Sequence, residues 1–397
     1  MVPSLKIIIF EGSFTTTTFI NRLVKGLSKN HKVYILGFNN SIEEKIANVK
    51  YIDLGSSQNY ISLVMRSKVS SIYYFLKTGN IIPFLRTIKN SLLLHKKELQ
   101  QDNFNRTVKL INPDIVHVQW QSLLPWCEEI LNKGNYKTIL SQRGYQSNVR
   151  PFVVRENFKY LQKWYPKFSG FHSVSKAISN VGDQIYSSEN KIDQVVYSGF
   201  NFSEISFNTD YTMLKPIQIL SVGRSHWIKG YTDAISACAL LKQKGIEFNY
   251  SIVGASLDNE ELIYLINDLD LQKNITLIPK MTQQEVYEVM RLSNVLLFPS
   301  LMEGLPNVIA EAMAVGLPVI STKCGGVEEL IENNKTGWLV PIRDPGALAN
   351  AIIDSIETPE AKMEEMRLEA RKKVEEQHAI EEMVSGMEAL YCEVLKE

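Results

Sequence analysis

The sequence predicts an α/β protein of two successive domains, each a parallel sheet covered by helices on both faces. Three observations carry this expectation. The chain has 397 residues, more than one hydrophobic core usually serves, so two domains of about 200 residues are expected. Short β-branched runs alternate with amphipathic helical stretches, the pattern of a parallel sheet with crossover helices. The alternation then restarts after a polar stretch between Asn201 and Lys215.

The first series contains the strand patterns "LKIIIF", "KVYIL", "DIVHVQW", "KTILS", "FHSVS" and "QVVYSG". The second begins at "IQILSVGR" and continues through "FNYSIVG", "ITLIP", "VLLFPS", "LPVIS" and "GWLVP". Two such series read as Rossmann-like domains, with parallel sheets facing across a cleft at the carboxyl ends of their strands. The expected boundaries are 1–200 for the first domain, 201–215 for a linker and 216–375 for the second domain. The segment 376–397 contains "HAIEEMVSGMEALYCEVL", a helical pattern expected to pack back on the first domain.

Composition narrows the function classes. Hydrophobic residues make up 45% and charged residues 22%, and 43 Lys plus Arg balance 43 Asp plus Glu. That balance argues against disorder and against general attraction to nucleic acid. The four cysteines, Cys127, Cys238, Cys324 and Cys392, stand too far apart for a metal knuckle. With no signal-peptide pattern before the first apolar run and no apolar run of about 18 residues, a cytoplasmic location without a spanning helix is expected.

The second series carries the clearest chemistry. In "SVGRSHWIKGYTDAI" a strand ends at Gly223, two cations follow at Arg224 and Lys229, and Gly230 leads into a helix. Two cations in a turn at a strand's carboxyl end suit a diphosphate, because Arg binds two oxygens while Lys supplies a point charge. A solvated basic turn is the plain alternative. After "VLLFPS", the turn "LMEGLPN" puts Gly304 where backbone can approach a ligand, with Pro306 and Asn307 suited to a helix start. Amides at such a start can hold phosphate through their unpaired N–H groups and the helix dipole.

The helix "NVIAEAMAV" places Glu311 among Ala, Val, Ile and Met and stops at Gly316. A buried carboxylate requires hydrogen-bonding partners. A ribose 2′,3′ diol would supply them, and so would nearby protein groups. Glu303 lies in the turn, off the helical face of Glu311, so the two acids should meet different parts of one ligand.

The spacing Glu303-x(7)-Glu311 within "EGLPNVIAEAMA", the downstream "CGGVEELI" and "TGWLV", and the upstream "VGR-x(4)-KG" together resemble the retaining glycosyltransferases of family 4, which have the GT-B fold. The resemblance covers about 217–350, with weaker matches in "PDIVHVQW", "SVSKAI" and "VVYSGFN". It implies that Arg224 and Lys229 hold the donor diphosphate and stabilise the departing nucleotide. It also implies Glu303 at the donor sugar, backbone of Gly304, Leu305, Asn307 and Val308 at sugar and phosphate, and Glu311 at the ribose. Met281, in "IPKMT", stands where the family's backbone reads the base.

In the first domain, Gly12 follows the first strand pattern, a usual place for a loop at the cleft, although the family's Gly-Gly pair is not kept. "TTFINRLVKGL" resembles the "ETFI" opening of a branch that builds bacterial exopolysaccharides, with Thr17 where Glu would stand. His117, in "DIVHVQW", occupies a position where the family often has a His facing the donor sugar; a structural His is the alternative. Arg143-Gly144 replaces the family's "HG", so Arg143 is either an acceptor contact or an ordinary surface arginine. Residues 61–100 hold seven Lys or Arg against one acid, Glu98, interleaved with Ile, Leu, Phe and Tyr. This reads as basic amphipathic helices suited to an anionic membrane surface, or as helices packed on the sheet with a solvated basic face.

The resemblance therefore implies transfer of a hexosyl or N-acetylhexosaminyl group, with retention, from a nucleoside-diphosphate sugar to a hydroxyl acceptor, a lipid-linked or growing bacterial surface glycan. The donor is expected to be a UDP-sugar, with a GDP-sugar second, and neither metal nor cofactor is required. The expected place is the cytoplasm, peripheral on the inner face of the membrane. A sugar-nucleotide epimerase on the same fold and a non-catalytic partner in a glycan assembly complex are the alternatives. The Asp-x-Asp at Asp268 and Asp270 lies at a helix end rather than after a strand, where a solvated surface is expected instead of a metal site.

Overall fold

The computed structural model describes residues 3–14, 18–38 and 45–396. Thr17 lies outside them. Unit 1 comprises Met1–Val174, Ile178–Gly199 and Ile380–Glu397. Its parallel sheet is built from β1 (Lys6–Gly12), β2 (Lys32–Gly37), β3 (Val49–Asp53), β4 (Ile115–Val118), β5 (Lys137–Gln142), β6 (Gly170–Ser173) and β7 (Asp193–Val195). The strand order is β3-β2-β1-β4-β5-β6-β7, so successive strands are added outward in one direction from β1 and then in the other from β4, all of them parallel.

Alternation within β1 explains why the sheet has two buried faces. Ile8 and Phe10 join a core with Phe104, Val108 and Leu124. Ile7 and Ile9 join another with Ile20, Val24 and, from the C-terminal helix Ile380–Lys396, Met387 and Leu390. Each such side chain withdrawn from water contributes about 1.5–3 kcal/mol. β3 is a strand that the sequence pattern does not announce: at the sheet edge, with Lys50 exposed, it lacks a continuous apolar run.

Between β3 and β4 stand α1's later companions. With α1 at Thr18–Leu27, these are α2 (Tyr60–Thr78), α3 (Ile82–Leu92) and α4 (Lys96–Ile111). Asn59 caps α2 by accepting from the Ser62 amide, and Gly79, at φ 71°, ends it.

Unit 2 comprises Ser175–Ala177 and Phe200–Ala379, so residues 201–215, expected as a linker, belong to it. Its sheet is β8 (Ile217–Val222), β9 (Phe248–Val253), β10 (Ile275–Ile278), β11 (Val295–Phe298), β12 (Val319–Thr322) and β13 (Trp338–Val340). The order β10-β9-β8-β11-β12-β13 is that of a doubly wound sheet, with its switch point between β8 and β11. Ile219 and Leu220 again point to separate cores, one with helix Tyr231–Gln243 and the other with helix Asn307–Val315.

Candidate functional site

The two motif-bearing loops of unit 2 leave the carboxyl ends of β8 and β11, the adjacent strands of the switch point, where doubly wound sheets bind ligands. After β8, Trp227–Lys229 forms one 3₁₀ turn and Gly230 turns the chain at φ 64° into helix Tyr231–Gln243. A Cβ on Gly230 would sit 2.1 Å from the Pro299 carbonyl oxygen, so glycine lets this loop lie against the backbone after β11. The Leu301 amide donates to the Ile228 carbonyl at 2.7 Å, and the Tyr231 hydroxyl donates to the Gly223 carbonyl at 2.9 Å.

These ties bring Lys229 and Glu303 together. Lys229 Nζ donates to Glu303 Oε1 at 2.7 Å and lies 5.1 Å from the centre of the Phe298 ring. Both side chains are mostly withdrawn from water, at 20% and 16% exposure. Arg224, in the same loop, is exposed and stands outside the pair.

The Glu303-Gly304 turn is held from behind by "CGG". The Gly326 amide donates to the Gly304 carbonyl at 3.0 Å, and the Ser175 hydroxyl donates to the same oxygen at 3.0 Å. Gly325, at φ 55°, approaches so closely that a Cβ there would lie 1.9 Å from the Glu303 carbonyl oxygen. The Thr322 hydroxyl donates to the Ser300 carbonyl. Burial pushes the Cys324 thiol up to about 12, with Glu303 and Lys229 near enough to act on it.

Pro306 precedes helix Asn307–Val315 and supplies no side-chain cap. The amides of its first turn therefore depend on other acceptors. Gly304 is buried and Leu305, Asn307 and Val308 are half-buried. Glu311 lies in the second turn at 7% exposure, between Ala310 and Ala312. It interacts with neighbouring groups of the protein, so a ligand diol would share or replace existing partners. Met281 follows β10, half-buried against the core and just before Thr282, which caps the next helix with Glu285.

Two further features of unit 2 escape sequence reasoning. Ser300 Oγ is buried without a hydrogen-bond partner among the described residues, at the carboxyl end of β11. Ser175 holds the Glu303-Gly304 turn although it lies far earlier in the sequence. Ser175 lies within "SVSKAI" and Ser300 closes "VLLFPS", but neither pattern singles the residue out. Asp268 ends a helix, and Asp270 pairs with Lys242 at 2.7 Å, which holds its carboxyl below the usual range. Among the described residues no group of three or more His, Cys, Asp or Glu is arranged to hold a metal ion.

Unit 1 departs from expectation at His117. Rather than presenting a nitrogen to a sugar, the ring is wholly buried opposite Ile9 in the sheet. Nδ1 is 2.8 Å from the Tyr391 hydroxyl and Nε2 is 2.8 Å from Ser141 Oγ. Ser141 Oγ is in turn 2.9 Å from His172 Nδ1, whose Nε2 bonds the Val196 carbonyl at 3.0 Å. Burial holds the His117 pKa well below its ordinary value. Both ring nitrogens thus have partners inside the protein.

Arg143 is no ordinary surface arginine. Its guanidinium stacks on Phe19 at 4.3 Å, and Nη2 donates to Gln119 Oε1 at 3.0 Å. Burial pushes its pKa down to about 9. Gly12 ends β1 at φ 89°, and a Cβ there would meet Leu123 at 2.8 Å. Beside it, the buried carboxyl of Glu11 accepts from the Ser13 amide at 2.8 Å. Burial outweighs that bond and raises the Glu11 pKa to about 7.

Residues 208–373 match the family of glycosyl transferases group 1. The amylovoran biosynthesis glycosyltransferase AmsK of Erwinia amylovora is 42% identical over 167 residues, covering 41% of each chain. The putative colanic acid biosynthesis glycosyltransferase WcaL of Escherichia coli is 37% identical over 166 residues, covering 40% of this chain and 41% of that one. The matched stretch thus spans about 41% of these relatives' length. The Anabaena protein HepE, whose crystal structure is a complex with UDP and glucose, superposes over 98% of this chain and 100% of its own, with a TM-score of 0.73 and 16% identity. At that identity the likeness shows the fold, which is GT-B.

Proposed function

We propose that this chain is a retaining glycosyltransferase moving a hexosyl or N-acetylhexosaminyl group from a nucleoside-diphosphate sugar to a hydroxyl acceptor of a bacterial surface glycan. The observation that carries the reading is the Lys229–Glu303 pair at the switch point of unit 2, inside the stretch that matches the glycosyl transferases group 1 family. The exopolysaccharide context of AmsK and WcaL supports the acceptor class. UDP in HepE supports a uridine donor.

In this mechanism the glycosidic bond to phosphate breaks and the leaving diphosphate gains charge. Lys229 and Arg224 supply cations, and the first-turn amides of helix Asn307–Val315 supply oriented dipoles. Preorganised groups of this kind typically contribute about 10²- to 10³-fold in rate each. Glu303 accepts from donor-sugar hydroxyls, Glu311 from the ribose diol, and backbone after β10 near Met281 meets the base. The leaving phosphate takes the acceptor's proton on the same face, so neither a protein base nor a metal is required. Unit 1 supplies the acceptor contacts, and the enzyme works in the cytoplasm.

Incubation with UDP-sugars and a surface-glycan acceptor, with and without excess chelator, tests the reading. Transfer with retained anomeric configuration, unchanged by chelator, is expected. Conversion of donor without acceptor would replace it with an epimerase. A nucleoside diphosphate at 100 times its dissociation constant should stabilise the protein by about 2.7 kcal/mol. No shift with either UDP or GDP would overturn the donor site.

A further inference from the structure

We infer that the outer face of the α2–α3 hairpin docks on an anionic lipid bilayer. The hairpin is built inside out. Along α2, Ile61, Met65, Val69, Ile72 and Leu76 recur at helical spacing and are 44–74% exposed. Along α3, Ile82, Leu85, Ile88 and Leu92 form a second stripe at 36–79% exposure.

The buried side of the same helices is largely polar: Ser67 and Ser71 on α2, Thr87 and Asn90 on α3. These residues meet buried polar side chains of α4. Asn103 Nδ2 donates to Ser67 Oγ at 2.9 Å, Arg106 Nη1 to Thr87 Oγ1 at 3.1 Å, and Asn90 Nδ2 to Asp102 Oδ2 at 3.2 Å. Asn103 also donates to the Leu54 carbonyl at 2.8 Å, which ties the network to the end of the sheet. Rotating either helix to bury its apolar stripe would strip partners from Arg106 and Asn103, at the high cost of unpaired buried polar groups. The outward apolar face is therefore fixed by the inward polar one.

Charge selects the occupant. Residues 61–100 carry seven Lys or Arg against one acid. Arg66 and Arg86 turn to Asp53 and Asp102 at 2.9 and 3.2 Å. The exposed lysines, among them Lys68, Lys77 and Lys89, flank the apolar stripes. A second copy of the chain would set these cations against one another, whereas an anionic bilayer offers head-group charge to the lysines and acyl chains to the apolar stripes. None of the described helices is long and apolar enough to cross a membrane, so the hairpin lies in the interface plane.

The test is co-sedimentation of the full chain with phosphatidylcholine vesicles, with and without phosphatidylglycerol. Binding to the phosphatidylglycerol vesicles alone is expected, weakening with salt. Val69→Ser, Ile72→Ser and Leu76→Ser together should lower it by about tenfold or more, while Leu368→Ser, at an exposed site of unit 2, should leave it unchanged. Lys68→Gln, Lys77→Gln and Lys89→Gln together should remove the preference for anionic lipid. Absent vesicle binding, unchanged binding by the triple serine variant, or a wild-type dimer that this variant dissolves would each overturn the proposal, the last in favour of a second copy. The thermal shift with UDP, read on the same variants, tests the donor site separately and should be retained throughout.

Discussion

Lys229 Nζ and Glu303 Oε1 meet at 2.7 Å although 74 residues separate them in the chain. Each comes from the loop after one of two paired strands, and the Leu301–Ile228 hydrogen bond fixes one loop on the other. At one fifth exposure or less the pair is worth more as a positioning device than as a source of stability, because desolvation offsets much of its attraction. A diphosphate arriving beside Lys229 would share its charge and loosen its hold on Glu303.

Replacing the cation tests that division of labour. Lys229→Ala should lower transfer at saturating donor by roughly 100-fold or more, with the fold intact by circular dichroism. Lys229→Arg keeps the charge but changes the donor geometry, so it should recover only part of the loss. A near-normal rate in the alanine variant would remove Lys229 from the mechanism.

Glu311 should act on the nucleoside and not on the phosphates. Glu311→Ala is expected to reduce transfer by roughly 100-fold or more, scaled from the loss of one preorganised group. The milder Glu311→Gln should weaken UDP binding by about tenfold or more, a loss of some 1.4 kcal/mol, while leaving the affinity for inorganic diphosphate unchanged. Calorimetry with both ligands separates the roles. Equal losses for the two would mean that Glu311 only supports the helix, through the protein groups it already meets.

Gly325 positions the Glu303-Gly304 turn through backbone contact alone. Gly325→Ala would force a Cβ to within 1.9 Å of the Glu303 carbonyl oxygen at a φ of 55°, so the turn must move. Transfer should fall by about tenfold or more, in line with the cost of misplacing a substrate-positioning group by about 1 Å. A crystal structure of the variant with Glu303 unmoved and activity retained would refute the role.

What the sequence made legible follows from how local each signal is. The strand runs of both sheets show through because strands buried on both faces are continuous apolar runs. β3 does not, because an edge strand with Lys50 exposed carries no such run. Lys229, Glu303 and Gly304 could be singled out because each stands in a short loop at a strand's carboxyl end, and the structure brings Lys229 and Glu303 together. The surroundings of His117 are not legible for the opposite reason: one of its ring partners, Tyr391, lies 274 residues away in the chain. Ser175 is likewise visible only once the chain has folded, since its partner Gly304 lies 129 residues away.

Glu11 yields a pH prediction with a definite sign. Burial raises its pKa from 4.5 to about 7, so between those values the folded protein holds a proton that the unfolded chain has released. Stability linked to this group is complete below about pH 4.5 and is lost as pH rises through about 7, a change of roughly 3 kcal/mol. His117 and His172 act in the opposite direction. Both are held neutral by burial, His172 down to about 3, and therefore favour the unfolded chain as pH falls below about 6.5. Wild type alone would mix these effects, but comparison with Glu11→Gln at each pH cancels the histidines. Urea denaturation should find the variant more stable than wild type at pH 8, by up to roughly 3 kcal/mol less whatever the lost Ser13 contacts contribute. The advantage should shrink steadily and vanish or reverse by about pH 5. A difference independent of pH would show that Glu11 does not change its proton occupancy on folding.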